Sequence, residues 1–152
     1  MAASVSFLLL GAAGCATLNR PEPLPPVNLK TPGWTVLQGQ AVWHLAHNQR
    51  EIAGDVLAAY RADGSGFVQF SKAPFTLVIG QETPKQWQVE FPPQNRHYSG
   101  KGQPPQRLIW LYLPRVLAGK VPPENWIWRQ DTNGWRLENA AAQESLEGYF
   151  NQ

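Results

Sequence analysis

One segment of the chain, residues 104–123, has the pattern of a helix, and it lies between two groups of short segments with the pattern of β-strands. Its apolar side chains recur at the spacing i, i+3, i+4, i+7 and i+8, which places them on one face of a helix. They are Ile109, Tyr112, Leu113, Val116 and Leu117. A helix with one apolar face needs a surface to cover, so the segment predicts a mainly β (α+β) fold with a sheet beneath the helix.

Pro114 interrupts this apolar face. A proline inside a helix removes the hydrogen bond to the carbonyl four residues earlier and clashes with that carbonyl. We therefore predict two helical pieces, 105–112 and 114–118, with Pro114 near the start of the second, where its missing N–H costs little. Gly119 is the predicted C-terminal stop, because glycine commonly ends helices and two prolines follow soon after it.

The predicted strands lie on both sides of the helical segment. They cover residues 34–45, 52–60, 66–70, 75–79, 85–91, 98–100, 126–130, 135–139 and 145–150. The first two alternate apolar or small residues with polar ones, and residues 63–65 have the composition of a hairpin turn. Short strands joined by turns predict an incomplete antiparallel β-barrel, with the helical insert packed on its concave side as lid or plug.

The N-terminus has the features of an export signal. Residues 2–14 are uncharged, and their apolar centre at 7–10 is too short to span a bilayer. Small residues precede Cys15, the single cysteine, and this ending resembles the lipobox of bacterial lipoproteins. The resemblance implies that residues 1–14 are removed and that Cys15 is lipidated. Ala16, where inner-membrane lipoproteins carry Asp, implies the outer membrane and its periplasmic face; an ordinary secretory signal with a chance cysteine is the alternative.

A proline-rich stretch follows the cysteine. Residues 19–32 contain five prolines, which is typical of a stiff extended tether. We divide the chain into a signal peptide at 1–14, a lipid-anchored tether at 15–33 and one half-barrel domain at 34–152, since 152 residues suffice for a single domain.

Taken together, these features resemble the LolA/LolB superfamily of lipoprotein carriers and receptors, and most closely its LolB-like outer-membrane lipoproteins. The resemblance rests on the lipidated N-terminus, an opening strand at 34–39, a hairpin at 66–79, the helical insert and the closing strands. It includes short motifs at 98–100, 104–105, 135–139 and 146–148. In that family an incomplete barrel encloses an apolar cavity, helices form its lid, and the acyl chains of a lipoprotein occupy it. The resemblance implies a lipid ligand and a periplasmic carrier protein as a partner.

Two sets of residues follow from this hypothesis. The candidate cavity-lining residues are Leu37, Trp43, Phe67, Phe70, Leu77 and Ile79. The candidate lid residues are the five that form the apolar face of the helix. Acyl chains are bound by burial and dispersion without a polar partner, so both sets suit them. The alternative is a solidly packed barrel without a ligand, in an envelope lipoprotein that serves structure or protein interaction.

Other classes of function lack a matching pattern. A net charge of +2 without a long Lys/Arg run predicts no nucleic-acid partner. His44, His47 and His97 have no accompanying cysteine or carboxylate cluster, so we predict no metal and no cofactor. No nucleophile elbow, P-loop or dinucleotide fingerprint occurs, so we predict no catalytic residues and no enzyme.

A mildly basic group precedes the helix. Its members are Arg96, His97, Lys101 and Arg107. Two interpretations stay open: the group contacts lipid phosphates, or it belongs to a solvated loop.

Overall fold

The computed structural model describes residues 21–45 and 48–152. Within these ranges the chain forms nine strands, one α-helix and a short 3₁₀ turn at Pro92–Gln94. The elements are β1 (Thr35–Leu45), β2 (Arg50–Tyr60), β3 (Gly66–Lys72), β4 (Phe75–Glu82), β5 (Gln86–Phe91), β6 (Arg96–Lys101), α1 (Ile109–Leu117), β7 (Trp126–Gln130), β8 (Trp135–Asn139) and β9 (Glu144–Phe150). The predicted signal peptide 1–14, Cys15 and His47 lie outside the described residues.

All nine strands form one antiparallel sheet in the order β6-β5-β4-β3-β2-β1-β9-β8-β7. Consecutive strands pair with each other except β6 and β7, and β9 returns to pair with β1 at the centre of the sheet. No pairing joins the edge strands β6 and β7 within residues 21–45 and 48–152, so the sheet is open. The prediction of a mainly β, open-barrel-like fold is confirmed.

The helix divides the sheet into an inner face, which carries α1, and an outer face. Alternation along each strand decides which side chains lie inside, because residues directly opposite each other share a face. Phe70 in β3 pairs with Val56 in β2 and Val78 in β4, and all three are buried on the inner face. The core therefore lies between α1 and the sheet.

Close backbone approach marks the bend of the sheet at β1 and β9. A Cβ atom on Gly39 would lie 1.9 Å from the carbonyl oxygen of Tyr149, and one on Gly148 would lie 2.1 Å from that of Gln40. Only glycine permits such contacts, so these two positions let the strands curl together. A register shift between Phe70 and Ser71 adds a second irregularity in β3.

The prediction of two helical pieces is wrong. α1 runs from Ile109 to Leu117 without a break and contains Pro114. The helix begins at Ile109 rather than at residue 105, so Pro114 lies in its second turn and removes only the bond to the Trp110 carbonyl. The predicted stop is confirmed: Gly119 has a φ of +88°, and Lys120 N–H donates to the Arg115 carbonyl at 3.0 Å.

Residues 22–25, here called the N-terminal strap, lie across the outer face of β4 and β5. Three hydrogen bonds hold the strap: Leu24 N–H donates to Gln88 Oε1 at 2.8 Å, Gln81 Nε2 donates to the Pro25 carbonyl at 2.9 Å, and Gln86 Nε2 donates to the Glu22 carbonyl at 2.8 Å. Gln81 and Gln88 are buried there. The division of the chain at residues 15–33 stays a prediction, but this part of the tether is docked on the domain.

Candidate functional site

The space beneath α1 is filled by side chains. The Trp110 ring stacks on Phe70 with centroids 4.6 Å apart, and Leu113 is 0% exposed. Leu111 lies over Gly80, where a Cβ atom would come within 2.9 Å of Leu111 Cδ2. At the C-terminal end of α1 a cavity of about 10 Å³ remains, which is the space of a single water molecule. The centre of the half-barrel is therefore a packed core.

The five candidate lid residues come together at this core. Ile109, Tyr112, Leu113 and Val116 are buried, and Leu117 is half-buried against them. The Tyr112 hydroxyl donates to the carbonyl of Pro104, which satisfies the polar end of the ring. The apolar face predicted from the sequence is thus the face that meets the sheet.

The six candidate cavity-lining residues do not share one face. Trp43, Phe70 and Leu77 pack in or against the core, and Leu37 is half-buried on the inner face. Phe67 and Ile79 belong to the outer face, because Phe67 pairs with Gln81 and Ile79 pairs with Gln69. Leu77 reaches the core because it is the extra residue of β4 at the register shift opposite Phe70 and Ser71, and so has no partner in the ladder.

A pocket of about 280 Å³ opens beside the N-terminal end of α1, and we call it the mouth pocket. Its lining residues are Trp43, Phe91, Gln94, Arg96, Tyr98, Arg107 and Leu108. They come from the end of β1, from the β5–β6 hairpin and from the turn that leads into α1. These elements meet because the N-terminal end of α1 lies on the inner face of the sheet, near the end of β1 and the β5–β6 hairpin.

A series of aromatic contacts connects the mouth pocket to the core. Trp43 meets Trp110 edge-on with centroids 5.6 Å apart, and its other neighbour is Phe91, stacked at 6.5 Å. Phe91 then meets Tyr98 edge-on at 6.2 Å. Because Trp43, Phe91 and Tyr98 are only half-buried, these rings form an apolar wall that is open to solvent on one side.

Polar contacts fix two of these rings. Trp43 Nε1 donates to Glu144 Oε1 at 2.8 Å. Burial raises the pKa of Glu144, and the hydrogen bond from Trp43 opposes this rise to a smaller extent. The Arg107 guanidinium lies 5.7 Å from the centre of the Tyr98 ring, within the range of a cation–π contact. Trp43 therefore presents its ring, not its N–H group, to the pocket.

The basic group predicted from the sequence is split by the fold. Arg96 shares the inner face of β6 with Tyr98 and lines the mouth pocket, as does Arg107. His97 points to the outer face, where its Nδ1 lies 3.5 Å from Glu90 Oε1, and Lys101 shares that face. Only two of the four basic residues therefore belong to the pocket.

The opposite end of α1 is held by an ion pair. Arg115 Nη1 lies 3.3 Å from Glu82 Oε1, and the Glu82 side chain is 7% exposed. Burial raises the pKa of Glu82, and the charges of Arg115 and Lys120 oppose this rise. The two charged groups attract each other, but Arg115 Nη1 does not form a hydrogen bond with Glu82. Glu82 Oε2 has no hydrogen-bond partner among the described residues either.

A second cavity, of about 420 Å³, lies on the outer face over β1, β2 and β9. Its walls are mainly small or polar residues, including Ala53 and Asp55, and its one aromatic side chain is Tyr149. The Tyr149 hydroxyl donates to Gln40 Oε1 at 2.9 Å. This groove has one aromatic ring, whereas Trp43, Phe91 and Tyr98 line the mouth pocket, so the mouth pocket is the better candidate site for an apolar ligand.

Sequence reasoning missed Phe91, Tyr98 and Leu108 as pocket residues. The sequence does indicate the position of Phe91, because Phe91 follows Trp87 and Val89 on the same face of a strand. The position of Leu108 depends on the turn before α1, where Leu108 N–H donates to the Pro105 carbonyl at 3.0 Å. Alternation alone does not predict that turn.

No protein-family model matches the chain, and no curated protein matches it either. Across residues 21–45 and 48–152 no three His, Cys, Asp or Glu side chains are grouped to hold a metal ion. In the same part of the chain, no helix has the length and apolar character needed to cross a bilayer. The fold is a mainly β, open-barrel-like domain with one helix on its inner face.

Proposed function

We propose that this chain is a LolB-like, lipid-anchored, periplasm-facing protein that binds an acyl chain of a lipoprotein or another lipid on the inner side of its half-barrel. The observation that supports this proposal is the mouth pocket, where half-buried aromatic rings continue the core out to solvent. Each methylene group that leaves water for such a surface contributes about 0.8 kcal/mol. A chain end placed along Trp43 and Phe91 would gain this without a polar partner inside.

The size of the pocket limits what it takes in the observed state. A volume of about 280 Å³ is just below the usual range of small-molecule sites, so it suits the end of one chain. A longer insertion requires α1 to move away from Trp43. The ion pair between Glu82 and Arg115 holds the C-terminal end of α1, so we propose that the N-terminal end opens and α1 acts as a lid.

The geometry of the strand ends also suits exchange with a membrane. The β3–β4 hairpin ends at the same end of the sheet as the β5–β6 hairpin beside the mouth pocket. Its tip carries Phe75, which is 65% exposed. Exposed aromatic rings partition to membrane interfaces, and in this proposal Phe75 touches the bilayer at the pocket end of the domain.

The anchoring part of the proposal rests on Cys15 and Ala16. In it, the lipidated Cys15 holds the domain on the periplasmic face of the outer membrane, and a periplasmic carrier delivers lipoproteins to it. Palmitate labelling is expected in the wild type and not in Cys15→Ser. Labelling that persists in the variant would rule out this anchor.

Uptake of a fluorescent fatty acid by the purified domain tests the binding. We expect saturable binding that Phe91→Ala weakens about threefold to tenfold, since truncation removes much of the apolar wall. The matched control Tyr149→Ala removes an exposed aromatic ring on the outer face, away from the mouth pocket, and it should leave binding unchanged. The proposal fails if the wild type takes up no probe.

The packed interior favours a second candidate function. Because Trp110 and Phe70 fill the space under α1, the domain is also suited to be an envelope lipoprotein that binds a protein partner and no lipid. Depleting the protein from its native cells separates the two functions: lipoproteins should fail to reach the outer membrane under the first, and should be sorted normally under the second.

A further inference from the structure

The rim of the mouth pocket carries two positive charges next to an apolar wall. Arg96 and Arg107 line the pocket, and both are exposed to solvent. Within the described residues neither arginine forms an ion pair with a carboxylate. By contrast, Arg115 and Arg136 each have a glutamate partner. The two rim arginines are therefore available to an external anion.

The acidic residues nearby are engaged elsewhere. Glu90 lies on the outer face beside His97, because it pairs with that residue in the sheet. Glu144 accepts the hydrogen bond from Trp43 and does not line the pocket. Arg96 and Arg107 thus give the pocket opening a positive charge, while Trp43, Phe91 and Leu108 keep its wall apolar.

We propose that the mouth pocket binds an amphiphile with a single anionic head group, either a carboxylate or a phosphate. The chain lies against the rings of Trp43, Phe91 and Tyr98, and the head group pairs with Arg96 and Arg107 at the rim. Guanidinium groups suit both anions, because their N–H donors match the oxygens of a carboxylate or a phosphate. This inference rests on the proposed binding of an acyl chain and adds the charge of the head group.

Three ligands with the same chain test the proposal on the purified domain by calorimetry: dodecanoate, dodecyl phosphate and dodecanol, each below its aggregation concentration. The apolar contribution to binding is the same for all three ligands, because their chains are the same. We expect both anions to bind about tenfold more tightly than dodecanol, because they also form two exposed ion pairs. The preference should shrink as salt is added, because salt screens exposed charges. A stronger preference for one anion identifies the head group as carboxylate or phosphate.

Variants at the rim link the preference to the arginines. Arg96→Gln and Arg107→Gln should each weaken the binding of the anions about threefold and leave dodecanol unaffected. Arg107→Lys keeps the charge and should keep most of the preference, even if the contact with Tyr98 changes. The matched control Arg129→Gln alters an exposed arginine on β7, at the other edge of the sheet, and should change neither affinity.

Two results would overturn the inference in different ways. Equal binding of the three ligands, or a preference that survives in both Gln variants, would refute recognition of the head group and leave acyl-chain binding in place. Absence of binding by all three ligands would refute the inference together with the proposed function.

Discussion

Two segments cover opposite faces of the sheet at β4, and they do so by different chemistry. On the inner face α1 lies over β4, with Leu111 against Gly80. On the outer face the N-terminal strap lies over β4, with the Pro25 carbonyl bound by Gln81. Gly80 and Gln81 are adjacent in sequence, and alternation sends one inward and the other outward.

The two coverings differ in what they contribute to stability. α1 buries large apolar side chains, each worth about 1.5–3 kcal/mol. The strap contributes three side-chain hydrogen bonds, each worth about 0.5–1.5 kcal/mol net. We infer that complete detachment of α1 requires the domain to unfold, whereas the strap can leave the sheet entirely while the domain stays folded.

The largest effect is expected from Leu113→Ala. This side chain is fully buried between α1 and the sheet, so its truncation should lower the free energy of unfolding by about 2–5 kcal/mol. Denaturant titration measures the loss. Leu117→Ala, a matched change at a half-buried position of the same helix, should cost clearly less. Equal losses would contradict the difference in burial between these two positions.

A smaller effect is expected from Gly80→Ala. The added Cβ would lie 2.9 Å from Leu111 Cδ2 and 3.0 Å from Val68 Cγ1, so the buried Leu111 side chain must move. We expect a loss of about 1–3 kcal/mol in the free energy of unfolding. The double variant with Leu111→Ala should lose less than the sum of the two single variants, because the crowding disappears. Strict additivity would contradict the contact.

On the outer face, Gln88→Ala should release the strap without unfolding the domain. It removes the acceptor for Leu24 N–H, worth about 0.5–1.5 kcal/mol. Amide exchange at residues 22–29 should become faster, while the unfolding midpoint stays close to that of the wild type. Gln69→Ala is the control, since the Gln69 side chain forms a hydrogen bond only with Ser71 among the described residues and none with the strap. A large drop in the midpoint would show that the strap belongs to the core.

The smallest effect concerns the ion pair under α1 and appears as a pH dependence. Burial raises the pKa of Glu82 in the folded state, so its contribution to stability is full below the unfolded pKa and is lost as the pH rises through the folded pKa. Glu82→Gln removes this loss. Denaturant titrations between pH 4 and pH 8 measure the free energy of unfolding of both proteins. As the pH rises, this free energy should fall less, or rise more, in Glu82→Gln than in the wild type.

Glu147 supplies a control of opposite sign on the outer face. The hydrogen bond from His44 and the contact with Arg136 lower the pKa of Glu147, so its contribution is present above the unfolded pKa and is lost as the pH falls through the folded pKa. Glu147→Gln should thus lower stability at neutral pH and leave it unchanged in acid. If both Gln variants shift the profile in the same direction, the assignment of Glu82 is wrong.

Much of the fold is predictable from local patterns. All nine strands were predicted, because alternation and turn residues act over a few positions; β1, for example, was predicted at 34–45 and is observed at Thr35–Leu45. The same alternation separates Phe67 from Phe70, which lie three positions apart in one strand and so cannot share a face. Alternation therefore excludes a single cavity that is lined by both Phe67 and Phe70.

Other features depend on contacts between distant residues. The strap binds Gln88 from 64 positions away, and no local pattern encodes that partner. The continuous helix depends on tertiary packing as well, because buried neighbours such as Leu113 offset the bond that Pro114 removes. The mouth pocket combines three separate parts of the chain. The sequence predicts the strands that carry its rings, but it does not predict that these three parts meet.

The docked strap also has a consequence for distance. If Cys15 is the membrane anchor proposed above, a strap bound from Glu22 onward leaves a connection that spans at most about 25 Å, whereas release back to Thr35 extends it to about 70 Å. The volume that the domain can sweep over the membrane would grow roughly twentyfold. Three glutamine side chains would then set how far the mouth pocket reaches from the bilayer.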